Sequence, residues 1–264
     1  MLKIGFIGCG NMGGALACAA AKSGNEIFLA DFCKEKAETL AKELSAKTAC
    51  NDEIAKNCDF IFLGVKPQVL SELLGEIAPA LKARKDRFVL VSMAAGVACE
   101  KIASTLDADY PIIRIMPNTP VAVGGGMILY TLYGATKEDE EKFLSFMAAA
   151  GRFDSLPEKL IDAGSALSGC GPAFVCQFIE ALSDGAVSAG LPRDKALLYA
   201  AATLEGTARL MLETGRHPAE LKDSVCSPGG STIQGVRRLE QGAFRGDVID
   251  AVMAAYQRTK ELGK

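Results

Sequence analysis

The chain has 264 residues, is 49% apolar and carries a formal net charge of −3. That length holds one large or two modest domains with a sizeable core, and the charge, without a basic stripe, argues against nucleic acid or an anionic membrane surface as partner. No apolar run reaches the roughly 18 residues of a transmembrane helix, and the N-terminus does not read as a signal peptide. Nine cysteines without a C-x-x-C point to free thiols in a reducing cytoplasm, and to no metal site.

Lys3–Ile7 reads as a short strand, followed at once by Gly8-Cys9-Gly10-Asn11-Met12-Gly13 and an Ala-rich helix over 14–23. Strand, G-x-G-x-x-G and helix in this order form the dinucleotide-binding fingerprint. Gly8 allows the tight turn, Gly10 lets the backbone approach a pyrophosphate, and Gly13 lets the helix pack close to the strand. The helix start offers free N–H groups and a positive dipole end to the phosphates. Cys9 reads as a small residue that fits the turn. Glu26–Ala30 is a second strand, and 34–45 a helix. Asp31 stands where a ribose-binding acid is expected, about 20 residues after the glycines. A carboxylate there accepts from a free 2′-hydroxyl and repels a 2′-phosphate, which favours NADH. Lys34 and Lys36, read mainly as solvated helix charges, leave NADPH open.

Residues 59–65 form a continuous apolar strand, as expected at the centre of a parallel sheet. Residues 68–80 read as a helix up to Pro79. Strands follow at 87–92 and Ile112–Met116, joined by a helix at Cys99–Leu106. Gly126–Tyr133 extends the sheet, and 137–150 reads as a helix. This is the βαβ rhythm of an α/β, Rossmann-like, doubly wound sheet over residues 1–156. From 157 to 264 no strand is expected. Helical patterns at 172–189, Arg193–Thr214 and 243–262 are separated by breakers such as Gly190-Leu191-Pro192. Small residues, as in Ala181-Leu182-Ser183-Asp184-Gly185-Ala186, permit close helix approach. The segment is therefore expected to form a helical dimer interface, with a compact monomeric bundle as the alternative.

Further blocks recur down the chain: Gly64-Val65-Lys66-Pro67, Ala94-Ala95-Gly96-Val97, Met116-Pro117-Asn118-Thr119-Pro120 and Leu167-Ser168-Gly169-Cys170-Gly171-Pro172-Ala173. His217-Pro218 follows, with Leu221-Lys222-Asp223-Ser224-Val225-Cys226-Ser227-Pro228-Gly229-Gly230-Ser231-Thr232 after it. With these blocks in this order, the chain resembles the pyrroline-5-carboxylate reductases over essentially its whole length. The resemblance implies NAD(P)H-dependent reduction of 1-pyrroline-5-carboxylate, a cyclic imine acid, to L-proline, the last step of proline biosynthesis. It implies a Rossmann domain followed by a helical domain for dimerisation and substrate binding, in a homodimer and beyond it a ring of dimers.

By position, the resemblance places the cofactor against Ile7, Gly8, Cys9, Gly10, Asn11, Met12 and Gly13. It places Asn51 at the adenosine ribose or its phosphate, and Gly64, Val65, Lys66 and Pro67 along the diphosphate and ribose. Met93, Ala94 and Ala95 fall near the nicotinamide, and Ser224 stands where relatives often have a cofactor-touching Asn. Glu158 aligns near the substrate. Two departures stand out. Asp31 replaces the Ser, Thr or basic residues of many NADPH-preferring relatives, and Cys170 replaces a common Ser.

The residues suit imine reduction. A ring imine is basic, and its protonated form already accepts hydride, so the protein mainly aligns the reactants and holds the substrate carboxylate. The single histidine, His217, precedes Pro218 and reads as a helix start. Pro228-Gly229-Gly230-Ser231-Thr232 precedes an amphipathic helix over 233–241, and its exposed N–H groups suit a carboxylate. Gly230, Ser231 and Thr232 are the substrate candidates, and the Thr232 hydroxyl is the catalytic candidate at the ring nitrogen. The alternative is that Ser231 or Thr232 only caps the helix. Lys66 reads as a cofactor ligand, and Lys222 with Asp223 as a solvated pair. Two other functions compete. A 3-hydroxyacid dehydrogenase would want a strong Lys or His proton donor in the helical half. A non-catalytic nucleotide sensor would not need the 228–232 loop.

Overall fold

The computed structural model describes residues 1–262. Eight strands form one sheet: β1 (Lys3–Ile7), β2 (Glu26–Ala30), β3 (Lys47–Thr48), β4 (Phe60–Leu63), β5 (Val89–Ser92), β6 (Ile112–Met116), β7 (Gly126–Tyr133) and β8 (Gly151–Ser155). Their order is β3-β2-β1-β4-β5-β6-β7-β8. Pairing is parallel from β3 to β6, β7 runs antiparallel to β6, and β8 is parallel to β7. The strand order turns back at β1, which lies between β2 and β4. That reversal opens a crevice at the carboxyl ends of β1 and β4, the ligand-binding position of doubly wound sheets.

Both faces of the sheet are covered, which is why its central strands read as unbroken apolar runs. Ile4 and Phe6 of β1 face α1 (Asn11–Ala21), α2 (Lys34–Leu44) and α6 (Lys137–Met147). Ile7 faces α3 (Asn51–Asn57), α4 (Pro67–Ala83) and α5 (Cys99–Leu106). Phe6 stacks on Phe62 at 4.3 Å between centroids, and Phe146 of α6 meets Phe62 edge-on. Burying each such side chain contributes about 1.5–3 kcal/mol, which fixes β1 and β4 and therefore the crevice between them.

Several boundaries differ from the sequence reading. α4 does not stop at Pro79 but continues to Ala83. The next turn buries Ala80 and Leu81 against the sheet, and that burial outweighs the backbone bond the proline removes. α6 ends at Met147, and a 3-10 turn over Ala148–Ala150 leads into β8, where the reading had a helix to 150 and no strand. β3 and α3 are also additional. α6 begins in a capping box, Thr136 with Asp139, and Asp139 also accepts from Arg87 Nε at 3.0 Å.

From Glu158 on, every element among the described residues is a helix: α7 (Glu158–Ser168), α8 (Gly171–Ser188), α9 (Arg193–Thr214), α10 (Pro218–Ser224), α11 (Ser231–Gln241) and α12 (Phe244–Leu262). Two compact units result, Met1–Cys170 with the chain from Ala255 on, and Gly171–Ala254. Within the first, Ile161 of α7 is buried against Met116 and Leu129 of the sheet. Within the second, α8 and α9 pack on each other, and Arg193 donates to Ser183 Oγ at 2.9 Å. Large apolar side chains there stay uncovered in a single copy, among them Leu198, Leu212 and Ile249, each more than half exposed. Among the described residues no helix is long and apolar enough to cross a membrane.

Candidate active site

The phosphate loop is built by close backbone approaches. Gly8 has φ +105°, and its N–H donates to the Ala30 carbonyl at 2.7 Å, which pins the loop to β2. A Cβ on Gly8 would stand 2.4 Å from the Gly64 carbonyl oxygen, and one on Gly13 would stand 2.0 Å from that of Gly8. Both glycines are required by packing. Gly10 is different. Its φ is −67°, open to any residue, and a Cβ there meets nothing within 4 Å. Neither conformation nor packing explains that glycine, whereas close approach of a ligand does. Gly10 is the N-cap of α1, with Asn11 and Met12 in the first turn, whose N–H groups lack helical partners.

Asp31 closes the other side of the loop. One carboxylate oxygen accepts from Cys9 N–H at 2.7 Å and the other from Cys33 N–H at 2.9 Å. The acid therefore organises the loop as well as facing the crevice. Cys9 stays a thiol: burial first, and Asp31 second, push it up to about 11. Its Sγ donates to the Ala30 carbonyl, in keeping with a small residue that fits the turn.

Three more loops leave the same edge of the sheet. Gly64 N–H donates to the Ile7 carbonyl at 2.7 Å, so Gly64 and Val65 lie beside the glycine loop. Lys66 is the exposed N-cap of α4, with Pro67 at its first position. After β5, Ala94 N–H donates to Ser92 Oγ at 3.4 Å, and Met93, Ala94 and Ala95 run into Gly96, whose φ is +73°. After β6, Asn118 accepts from Met127 N–H at 2.9 Å and donates to the Ser168 carbonyl at 2.9 Å. Sequence alone assigns the Asn118 block no role. Its role here is to fasten the β6–β7 turn to the end of α7.

Glu158 lies in this first unit as the first residue of α7. Its Oε1 accepts from Cys99 N–H at 2.8 Å and from Arg114 at 3.2 Å, so it holds the start of α5. Arg114 is a residue the sequence reading missed. It is 3% exposed, bridges Glu158 and Asp162 of α7, and its Nε has no partner among the described residues. A lone arginine within the apolar run Ile112–Met116 was the available signal. Asn51, at the first position of α3, donates its amide to Glu76 on α4, a second pairing invisible in sequence.

The remaining candidates lie in the second unit. His217 Nδ1 accepts from Ala219 N–H at 3.2 Å and caps α10, the structural role expected of it. Ser224 ends that helix and donates to the Leu221 carbonyl at 2.7 Å. Lys222 and Asp223 form a mainly exposed pair. Gly229 has φ +71°, and Gly230 N–H turns back to the Ser227 carbonyl at 3.0 Å. Gly230 itself is the N-cap of α11, with no side-chain cap bond, and Ser231 and Thr232 fill the first two helical positions. The helix thus starts two residues before the expected 233. The alternative that Ser231 or Thr232 serves as the cap does not hold, because a glycine takes that position. Both hydroxyl residues are exposed in a single chain. Among the described residues no group of three or more His, Cys, Asp or Glu side chains is placed to hold a metal ion.

A doubly wound sheet with a glycine loop at its switch point, followed by an all-helical segment with uncovered apolar side chains, is the architecture of a Rossmann-type dinucleotide-binding protein with a separate helical domain. Two family models match: one described as "NADP oxidoreductase coenzyme F420-dependent" over residues 3–96, and one as "Pyrroline-5-carboxylate reductase dimerisation" over 158–262. Pyrroline-5-carboxylate reductase of Escherichia coli strain K12 is 41% identical across 99% of this chain and 98% of that protein. The protein of that name from Arabidopsis thaliana is 39% identical across 99% of this chain and 96% of its own length. A solved Plasmodium falciparum pyrroline carboxylate reductase with NADP bound superposes with a TM-score of 0.88 at 31% identity, covering 100% of both chains. A Coxiella burnetii pyrroline-5-carboxylate reductase gives 0.91 at 32% identity, covering 100% of this chain and 99% of the other. The chain belongs to the pyrroline-5-carboxylate reductase family.

Proposed function

We propose that the protein reduces 1-pyrroline-5-carboxylate to L-proline with a nicotinamide coenzyme. The observation that carries the coenzyme half is Gly10, a glycine at a helix start that no feature of the protein's own packing requires. Gly10, Asn11 and Met12 would hold the diphosphate with backbone N–H groups, with Ile7, Gly8, Cys9 and Gly13 forming the loop beneath. Gly64, Val65, Lys66 and Pro67 would line its other side, and Lys66 would add positive charge. Met93, Ala94 and Ala95 would contact the nicotinamide, and Ser224 the coenzyme. Asp31 would accept from the adenosine ribose, beside Asn51, and this favours NADH over NADPH.

The coenzyme supplies a hydride to the imine carbon when bound. The chain's own contribution is to place the substrate. Gly230, whose own N–H is held by the Ser227 carbonyl, starts α11 and leaves the backbone N–H groups of Ser231 and Thr232 to suit the substrate carboxylate. The Thr232 hydroxyl, not committed to capping, would hydrogen-bond the ring nitrogen, which carries one more proton in the product. Glu158 remains a substrate candidate through the oxygen not bonded to Cys99 and Arg114.

We draw the functional boundary between residues 156 and 157, after the last strand. The helical half would pair two copies into a homodimer, a reading supported by its uncovered Leu198, Leu212 and Ile249. The family resemblance adds association of such dimers into a ring. Nine unpaired cysteines suit a cytoplasmic enzyme. The test is direct: the purified protein should oxidise NADH only when the cyclic imine acid is present. Coenzyme binding without imine-dependent oxidation would leave a nucleotide sensor.

A further inference from the structure

At the carboxyl end of β2 a pocket of about 350 Å³ opens beside Asp31, with Lys34, Asn51, Glu53 and Glu76 on its walls. In the dinucleotide-binding fold this is where the adenosine ribose lies, next to the acid after the second strand. A 2′-phosphate in such a pocket needs N–H donors and positive charge. Here the donor is already committed. Asn51 Nδ2 donates to both carboxylate oxygens of Glu76, at 3.1 and 3.0 Å. Glu76 thus withholds the Asn51 amide and adds a negative charge of its own, on top of that of Asp31. Lys34 is the one cation among these wall residues.

We propose that Glu76 is a coenzyme-discriminating residue: its carboxylate holds the Asn51 amide and disfavours the 2′-phosphate of NADPH. NADH meets no such barrier, because a free 2′-hydroxyl donates to carboxylates. Of the four wall acids, Glu53 accepts from the Cys50 N–H and Glu38 lies on α2, while Asp31 acts from the end of β2 and Glu76 from α4, so a change at Asp31 alone leaves part of the discrimination in place. Glu76 is exposed on α4, while Leu73, Leu74 and Ile77 make that helix's core contacts, so its replacement spares the fold. The proposal rests on the nicotinamide-coenzyme reading above.

The experiment measures dissociation constants for NADH and NADPH by coenzyme fluorescence on the full-length wild type, Glu76→Gln and Glu76→Ala, with imine reduction assayed in parallel. NADPH should bind roughly 5- to 30-fold tighter to both variants, the size of one relieved charge repulsion, while NADH changes by no more than about twofold. Asn51→Ala placed on Glu76→Ala should reverse much of the NADPH gain, because the freed amide is then gone. Equal changes for both coenzymes, or an unchanged ratio, overturn the role of Glu76. A wild type that binds neither coenzyme overturns the underlying reading with it. A wild type that binds coenzyme but leaves the imine unreduced overturns the substrate assignment alone, since the binding ratio still decides the case of Glu76.

Discussion

Gly10→Ala should separate ligand binding from folding. The position has φ −67° and ψ −174°, and the added methyl meets no protein atom within 4 Å. Alanine is a poorer N-cap than glycine by about 1 kcal/mol or less, and the stiffer unfolded chain returns about 0.4–1 kcal/mol. The net change in stability is therefore close to zero. The methyl would stand where the coenzyme diphosphate comes against the loop backbone. Losing two charge-assisted N–H bonds at about 1.5 kcal/mol each amounts to about 3 kcal/mol, or roughly 150-fold weaker coenzyme. Gly8→Ala and Gly13→Ala are the controls. Their methyl groups fall 2.4 and 2.0 Å from backbone oxygens, so both should lower the unfolding temperature as well as the affinity. The assay pairs thermal unfolding with fluorescence titration of NADH. A Gly10→Ala protein that binds NADH as tightly as the wild type would refute the phosphate-loop reasoning.

Thr232→Ala should lower kcat/KM for the imine roughly 10- to 150-fold with coenzyme affinity nearly intact, and Thr232→Ser should keep much of the activity; wild-type kinetics in the alanine variant would remove the hydroxyl from the reaction. Gly230→Val should be worse than either, because even its Cβ would lie 2.5 Å from Ser227 Oγ. Asp31→Ser should move the ratio of kcat/KM values toward NADPH by roughly 5- to 30-fold, and should also cost stability, since one hydroxyl cannot replace both backbone bonds to Cys9 and Cys33. Burial pushes Asp139 up, but Arg87 and Thr136 outweigh it and hold the carboxyl at about 2, below its ordinary 3.8. That depressed value stabilises the fold by about 2 kcal/mol above the ordinary carboxylate range. The gain is lost as pH falls from about 4 to about 2, and Arg87→Leu should flatten this window in acid unfolding curves. In sedimentation the full chain should run at no less than twice its 27.7 kDa at micromolar concentration, and a monomer would count against pairing through the helical half.

The parts of the fold legible in sequence were those whose patterns are local. β1, the glycine loop and α1 follow one another within 21 residues, and the apolar runs of β4 to β6 mark strands buried on both faces. β3 has two exposed residues, and β8 is a mostly polar edge strand that pairs with β7 and sets only Phe153 against the core, so neither carries a periodic signal. Pro79 misled because local propensity says stop, while Ala80 and Leu81 gain enough by burial to continue. In the site, residue types and spacing identified the glycines and Asp31. They did not show that Asp31 holds Cys9 and Cys33, that Glu158 meets Arg114 across 44 residues, or that Asn51 faces Glu76 across 25. These pairings are made by the packing of separate elements, which one sequence does not record.

Hydride transfer from a nicotinamide coenzyme to a cyclic imine acid yields the saturated ring amino acid and oxidised coenzyme in equal amounts. The measurement that tests it most directly is product analysis after incubation of the purified protein with NADH and 1-pyrroline-5-carboxylate. L-Proline should form in amounts equal to the NADH consumed, and none when either reactant is omitted. NADH that binds and is not consumed, or is consumed without proline appearing, would contradict that transfer.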